Sequence, residues 1–183
     1  QTESPKRSKM ILELSNMMRY ILSEGAKTHV PLEKELTMIS DYINLEKVRY
    51  GNKLDMHVSL PTDTNDLQIA PLILLPFVEN CFKHGASKFL SNPWINLKIE
   101  LEDNMMSMKL MNGKDEDKNQ LIPVSGTGIP NVQMRINLVY PGKHNLQISN
   151  EKNVYVVNLK LELSKQNKEQ AAIKPPQSLM NYA

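Results

Sequence analysis

The sequence predicts an α+β fold, with one β-sheet and helices packed on one of its faces. Two stretches near the N-terminus repeat apolar residues with the period of a helix, and several later stretches alternate apolar and polar residues as strands do. The predicted strands come mostly as adjacent pairs joined by short turns, and they do not alternate regularly with helices. That order favours an α+β sandwich over a doubly wound parallel sheet.

Composition limits the class of protein. The 183 residues are 40% hydrophobic and 23% charged, which suits one globular domain with a short helical attachment. The net charge of +2 comes without a basic run, so we expect no nucleic-acid partner. Cys81, the single cysteine, lies in an apolar stretch and predicts a buried thiol in a reducing compartment. No apolar run has the length of a membrane span, so we expect no membrane contact by this chain.

Two helices are predicted before the first strand. Residues 9–24, "KMILELSNMMRYILSE", form the first helix, and Gly25 ends it. The second helix runs from about Pro31 to Gly51. The apolar stripes of the two helices are Ile11, Leu14, Met18, Ile21 and Leu22, then Leu32, Leu36, Ile39, Ile43 and Val48. Either stripe fits a core or a dimer seam, and the first needs a partner that the rest of the chain does not fully supply.

The later elements follow from alternation and from turn residues. "KLDMHVSL" from Lys53 is a predicted strand, "PTDTND" a turn-rich connection, and a helix enters through Pro71 and ends before Gly85. "WINLKIEL" and "MMSMKLMN" predict a hairpin, and residues 113–127 a polar loop. A helix over Ile129–Tyr140 is followed by the strands "HNLQIS" and "VYVVNLKLEL". The polar tail from Ser164 is expected to lie outside the core.

Four polar residues share one side of the third helix, "PFVENCFKHG": Glu79, Asn80, Lys83 and His84. A solvated face with a Glu–Lys pair explains them, and so does a site, because a carboxamide oxygen is a suitable ligand for Mg²⁺ beside phosphate. Pro76 predicts either a kink or a helix that starts afresh there.

Two further features contain residues that could bind a ligand. Asn112 ends a predicted core-facing strand, where it is either a turn residue before Gly113 or an amide that faces a ligand. Gly126 and Gly128 precede a helix, so they form either a hinge or a phosphate cradle. On that helix, Asn131 and Arg135 lie four apart, and Arg135 suits a phosphate or an ion pair with an acid such as Glu79. Together with the third helix, these features predict a nucleotide site.

At this point the chain resembles the LytS/YehU-type sensor histidine kinases of the GHKL ATP-binding superfamily. The resemblance rests on "LSNMMRYIL", "VPLEKELTMISDYINLEKVRYGNKL", "PLILLPFVENCFKHG" and "SGTGIPNVQMRINLVYPGKH", and it covers most of residues 10–163. It implies a Bergerat-type two-layer α/β sandwich preceded by a dimerisation helix. The implied domains are residues 1–28, the second helix of the dimerisation and phosphoacceptor region, residues 29–163, the ATP-binding catalytic domain, and residues 164–183, a polar tail.

The resemblance also implies site residues. Asn80 would be the asparagine that coordinates Mg²⁺, with Glu79, Lys83 and His84 beside the phosphates or ribose. Residues 113–125 would be the ATP lid. The nucleotide-binding set implied in this way is Asn80, Lys83, His84, Asn112, Gly126, Gly128, Asn131 and Arg135, and the catalytic pair is Glu79 and Asn80.

The sequence departs from the superfamily pattern at the adenine-reading motif, and two further features bear on the reaction. Asn112 stands where the superfamily usually has an adenine-reading Asp, and the second glycine of that motif is missing. Pro76 occupies the position of the glutamate in relatives that hydrolyse ATP, which argues against an efficient ATPase. None of the four histidines fits the phosphoacceptor context, so the acceptor is expected upstream of Gln1.

The resemblance therefore implies a protein-histidine kinase that uses ATP and Mg²⁺ and phosphorylates a histidine outside this chain. Its expected partners are the upstream phosphoacceptor helix, a second protomer in a homodimer, and a response regulator. We expect a cytoplasmic domain whose full-length protein is anchored in the bacterial inner membrane. The rivals are a GHKL module that binds nucleotide or protein without transfer, and a structural dimerisation domain.

Overall fold

The computed structural model describes residues 3–85, 93–114 and 128–165, and it leaves the side chains of residues 3–6, 84 and 85 undescribed. Four α-helices alternate irregularly with eight strands in this part of the chain. The helices are α1 (Glu3–Glu24), α2 (Leu32–Tyr50), α3 (Leu75–Gly85) and α4 (Gly128–Val139). The strands are β1 (Val30–Pro31), β2 (Asp55–Ser59), β3 (Leu67–Ile69), β4 (Trp94–Glu102), β5 (Met105–Gly113), β6 (His144–Asn150), β7 (Val154–Glu162) and β8 (Ser164–Lys165). Within the described ranges, every helix is too short or too polar to form a transmembrane span.

A five-stranded mixed sheet forms the centre of the fold. Its order is β2–β4–β5–β7–β6, in which β2 runs parallel to β4 and every other pair is antiparallel. The predicted hairpin β4–β5 and the predicted pair β6–β7 are confirmed. Alternate residues of the three central strands are buried, and the residues between them are half-buried or exposed and mostly polar. One face of the sheet therefore carries the core, on which α3 and α4 pack.

A second, three-stranded sheet was not predicted. It has the order β1–β3–β8, and its strands are only two or three residues long. In it Ser164 and Lys165 pair with Gln68 and Leu67, so backbone pairing continues two residues past the expected end of the core at residue 163. Segments this short carry no readable alternation, which is why the pattern analysis missed them.

The first helix buries a different face from the one its apolar stripe indicates. The α1 side chains that are buried form the row Glu13, Met17, Tyr20 and Glu24, and α1 packs on α2. The predicted stripe of Ile11, Leu14, Met18, Ile21 and Leu22 is exposed, together with Leu12. The stripe is therefore not part of the core formed by the described residues, and the alternative of a plain core is wrong for it.

The third helix starts afresh at its proline. α3 begins at Leu75, so Pro76 lies in the first turn, where a missing N–H costs little. The carbonyl of Leu74 accepts the first helical hydrogen bonds, from the amides of Phe77 at 3.2 Å and Val78 at 3.3 Å. Loop 70–74, the segment "APLIL" between β3 and α3, thus fixes the point at which α3 starts.

Candidate functional site

The apolar side of α3 holds the helix against the sheet and α2. Phe77, Val78, Cys81 and Phe82 are buried as predicted, and the Phe82 ring packs edge-on to Tyr42 at 5.6 Å between centroids. On the opposite side, Glu79 and Lys83 are exposed and Asn80 is half-buried. Asn80 therefore lies at the margin between core and solvent, where a ligand can reach its amide.

The exposed carboxylate of Glu79 lies beside α2. Burial raises the pKa of Tyr42, and the negative charges of Glu46 and Glu79 raise it further. Among the described side chains, Glu79 forms no ion pair with Lys83 or with Arg135. The predicted Glu–Lys pair on this helix is thus not formed.

Asn112 is fully buried at the end of β5, with 0% of its surface exposed. Its Nδ2 donates to the Gly113 carbonyl at 2.9 Å, and its Oδ1 accepts no hydrogen bond from any residue that the structure describes. An unpaired buried acceptor costs about 1–3 kcal/mol, so this oxygen suits a donor that arrives with a ligand. β5 continues through Gly113, which pairs with Val154, and so the alternative of an Asn–Gly turn is wrong.

Gly113 is required by its neighbour across the sheet. A Cβ added at Gly113 would lie 2.7 Å from Nε1 and 3.1 Å from Cδ1 of Trp94. Only a residue without a side chain lets the indole of Trp94 pack against this backbone. The indole therefore packs on the backbone of Gly113 at the end of β5.

Two contacts bring the predicted elements together. Tyr155 is the cross-strand partner of Asn112 on β7, and burial, together with the nearby Cys81 on α3, raises the pKa of Tyr155 to about 12. Gly128 opens α4 beside the first turn of α3, since a Cβ built on it would lie 3.9 Å from Cβ of Pro76. Tyr155, beside the end of β5, and Gly128, at the start of α4, thus both lie close to α3.

The remaining predicted residues are placed differently. Asn131 is exposed on α4. Arg135 is half-buried. Burial raises the pKa of Tyr20 and of Tyr140, and the charge of Arg135 opposes this rise in both. Arg135 therefore lies near α1 and the end of α4. Three predictions lie outside the described part of the chain: the side chain of His84, Gly126, and most of the lid at 113–125.

A buried carboxylate, that of Glu35, was missed by the sequence analysis. It is 0% exposed, and it accepts the amides of Leu72 at 2.9 Å and Leu74 at 3.1 Å as well as the hydroxyl of Tyr20. Burial raises its pKa, and these hydrogen bonds oppose that effect. One signal was available: Glu35 lies three residues after Leu32 and four before Ile39, on the apolar stripe of its helix.

A separate cleft of about 540 Å³ lies at the opposite end of β5. Turn and strand-end residues line it, among them Asp103, Lys143 and Glu162. None of the predicted site residues borders it, so it is distinct from the candidate site.

Comparisons with known proteins agree with this fold. A family model described as histidine kinase matches residues 1–54. The sensor protein LytS of Staphylococcus epidermidis is 27% identical over 142 residues, which cover 74% of this chain and 24% of LytS. The sensor protein kinase HptS of Staphylococcus aureus is 25% identical over 178 residues, which cover 91% of this chain and 34% of HptS. The chain thus spans about a quarter to a third of the length of these relatives.

Solved structures show the same fold at low sequence identity. The catalytic domain of the histidine kinase ThkA superposes with a TM-score of 0.54 at 12% identity, covering 76% of this chain and 98% of ThkA. ShkA, solved in complex with AMPPNP, superposes at 0.51 and 14% identity, covering 88% of this chain and 37% of ShkA. These matches confirm the predicted α+β fold. In sequence, the chain is similar to the sensor kinases LytS and HptS.

Proposed function

We propose that this chain is the ATP-binding catalytic portion of a two-component sensor histidine kinase. The observation that carries the proposal is the Oδ1 of Asn112, which is buried at the end of β5 and accepts no hydrogen bond from the described residues. One N–H of the Asn112 amide donates to Gly113, and the oxygen offers an acceptor to a ligand. The exocyclic amino group of adenine is such a donor, whereas guanine carries an acceptor at the same position.

The residues on α3 fit the phosphate end of a nucleotide. Asn80 offers a half-buried carboxamide oxygen, which suits a Mg²⁺ ion that takes few protein ligands and completes its shell with phosphate and water. Lys83 is exposed one turn further and adds a positive charge. Gly128, Gly126 and the start of α4 would supply backbone amides, with Asn131 and Arg135 on the same helix. Bound Mg²⁺ would supply charge neutralisation for phosphoryl transfer.

In the proposed reaction an imidazole nitrogen bonds to the γ-phosphorus, and the bond from that phosphorus to the bridging oxygen breaks, which releases ADP. The acceptor histidine lies outside this chain and passes the phosphoryl group to a response regulator. We assign Glu79 to orienting the imidazole, because it is the exposed carboxylate next to Asn80. Pro76 in the first turn of α3 leaves no carboxylate there to activate water, which favours transfer over hydrolysis.

The exposed apolar stripe of α1 supports the remaining partners. Ile11, Leu14, Met18 and Leu22 are each more than half exposed, and they extend over three helical turns. We propose that the stripe packs against the phosphoacceptor helix and a second protomer in a homodimer. We also propose, from the resemblance alone, that the full-length protein is anchored in the inner membrane, which fractionation of cells would test.

A second candidate is a GHKL module that binds nucleotide without transferring phosphate. It is favoured by Asn112 itself, which replaces the usual Asp. Phosphohistidine formation by the full-length protein separates the two, since this modification is labile in acid and stable in base. Such a product would favour the kinase, and bound ATP without it the module.

Calorimetry of Mg-ATP binding tests the nucleotide site that the two candidates share. We expect binding by the wild-type chain and a loss of about tenfold or more in Asn80→Ala, because the metal loses its protein ligand. Asn158→Ala is the matched control, since Asn158 is a half-buried asparagine on the far face of β7. Absence of binding by the wild-type chain would contradict both candidates.

A further inference from the structure

Loop 70–74 is held by two side chains from elsewhere in the chain. Its Ala70 amide donates to the hydroxyl of Tyr140 at 2.8 Å, just past the end of α4. Its Leu72 and Leu74 amides donate to Oε2 and Oε1 of Glu35 on α2. Three amides of a five-residue loop are thus bonded to two buried side chains, and neither side chain belongs to β3 or α3.

The backbone of this loop is strained at its middle. Leu72 has φ of +60°, a conformation that costs a residue with a side chain about 1–3 kcal/mol. Its own amide is one of those that Glu35 accepts. Its Cδ1 also lies 3.4 Å from the Cβ position of Gly25, which follows α1. A strained residue in contact with a neighbouring helix end requires that its surroundings keep their positions.

Glu35 also reaches α1. The Tyr20 hydroxyl donates to Oε2, the same oxygen that accepts from Leu72. Three further groups face this pair. The charges of Glu24 and Arg135 act on Tyr20, and the charge of Glu35 acts on the phenol of Tyr140. An unbroken set of contacts therefore runs from α1 through Glu35 to the backbone that starts α3.

The start of α3 in turn sets the position of Asn80. Leu74 gives its amide to Glu35 and its carbonyl to the first two bonded amides of α3. A shift of Leu74 therefore moves the whole rigid helix. Asn80 lies fewer than two turns from that residue.

We propose that Glu35 is a positioning residue that couples α1 to the nucleotide-binding helix, through Tyr20 on one side and loop 70–74 on the other. A displacement of α1 relative to α2 would pull Tyr20 from Glu35, loosen Leu72 and Leu74, and shift the start of α3. The structural part of this proposal stands on the contacts alone, whereas its effect on ATP rests on the proposed function.

Hydrogen exchange in the absence of nucleotide tests the structural part. Tyr20→Phe deletes the α1 hydroxyl and leaves the ring, so we expect exchange of the Leu72 and Leu74 amides to rise about tenfold, as loss of a charge-assisted bond implies. Ser15→Ala is the matched control, because its hydroxyl bonds only to the Ile11 carbonyl within α1. Amides of β5 and β7 report global stability and are expected to keep their rates.

The outcomes separate clearly. Faster exchange confined to loop 70–74 supports the coupling. Unchanged rates in Tyr20→Phe, or an equal rise in the loop and in β5 and β7, would overturn it. Glu35→Gln, if it folds, is expected to raise the loop rates further than Tyr20→Phe, because it also weakens the acceptor for both amides.

Binding of Mg-ATP gives a second and separate arm. By linkage, a coupling that lowers nucleotide affinity when Tyr20 is changed must also let nucleotide protect loop 70–74 in the wild type. We expect Kd to rise about threefold to tenfold in Tyr20→Phe and to stay constant in Ser15→Ala. Equal Kd values with faster loop exchange would overturn the effect on ATP. No binding by the wild-type chain would instead refute the proposed function and leave the exchange result to decide the coupling.

Discussion

Cys81 reports on the core beneath the candidate site. Burial raises the pKa of its thiol to about 12, so only about one molecule in ten thousand carries a thiolate at pH 8. We expect alkylation by iodoacetamide at pH 8 to be slower by at least a hundredfold in the native chain than in urea. Equal rates under the two conditions would contradict the burial of this residue.

Glu24 makes the stability of the fold depend on pH. Hydrogen bonds from Lys27 at 2.9 Å and from Lys34 at 3.0 Å hold its pKa below its usual value of 4.5. A carboxylate with a lowered pKa stabilises the fold above its unfolded pKa and loses that contribution as the pH falls through the folded value. We expect the wild type to lose more stability between pH 5 and pH 3 than Glu24→Gln does, by about 0.5–1 kcal/mol. Urea unfolding at several pH values measures this, and parallel curves would contradict it.

Gly113 tests the packing of Trp94 at the end of β5. Gly113→Ala places a methyl group within 2.7 Å of the Trp94 indole nitrogen, and overpacking of this kind costs about 1–3 kcal/mol. We expect lower stability and a shifted emission of Trp94, the single tryptophan. Gly51→Ala is the control, because among the described residues no atom beyond its chain neighbours lies within 4 Å of its Cβ position, and its cost arises from the positive φ. An unshifted emission in Gly113→Ala would argue against the packing described.

Among the helices, α1 tests the proposed dimer. Met18→Lys combined with Leu22→Glu puts charges on the exposed stripe, where a seam between two protomers would have to bury them. We expect the full-length protein to sediment as a monomer after these changes. Leu138→Glu on α4 is the matched control, since Leu138 is 75% exposed and Leu22 is 80% exposed. Dimers that persist in the double variant would contradict a seam on this face.

The long elements were predictable because their signals are local. The alternation of apolar and polar residues predicts β4, β5, β6 and β7, and prolines and glycines mark the ends of α2 and α3. These signals do not depend on the rest of the chain. The short sheet of β1, β3 and β8 has no such signal, since its strands form only when distant segments meet. The buried face of α1 was also not predictable, because it carries Glu13 and Glu24 while the apolar stripe points away from the chain.

The candidate site likewise contains residues that the sequence predicts and residues that it does not. Asn80 and Asn112 are polar residues at the borders of apolar runs, which any reader of the sequence can see. Glu35 acquires its role only in three dimensions, from backbone amides of a loop 37 and 39 positions away. The partner of the Asn112 amide nitrogen, the carbonyl of Gly113, likewise depends on β5 continuing one residue further than the turn chemistry indicates.

For the molecule as a whole, the central claim is that its sheet ends in an adenine-reading site. ATP and the triphosphate of purine riboside differ only in the 6-amino group that would donate to Oδ1 of Asn112. Calorimetry with both nucleotides and Mg²⁺ therefore isolates one hydrogen bond. We predict that the wild-type chain prefers ATP by about tenfold, as one satisfied buried acceptor implies, and that Asn112→Leu loses this preference. Equal affinity of the wild type for the two nucleotides would contradict the account.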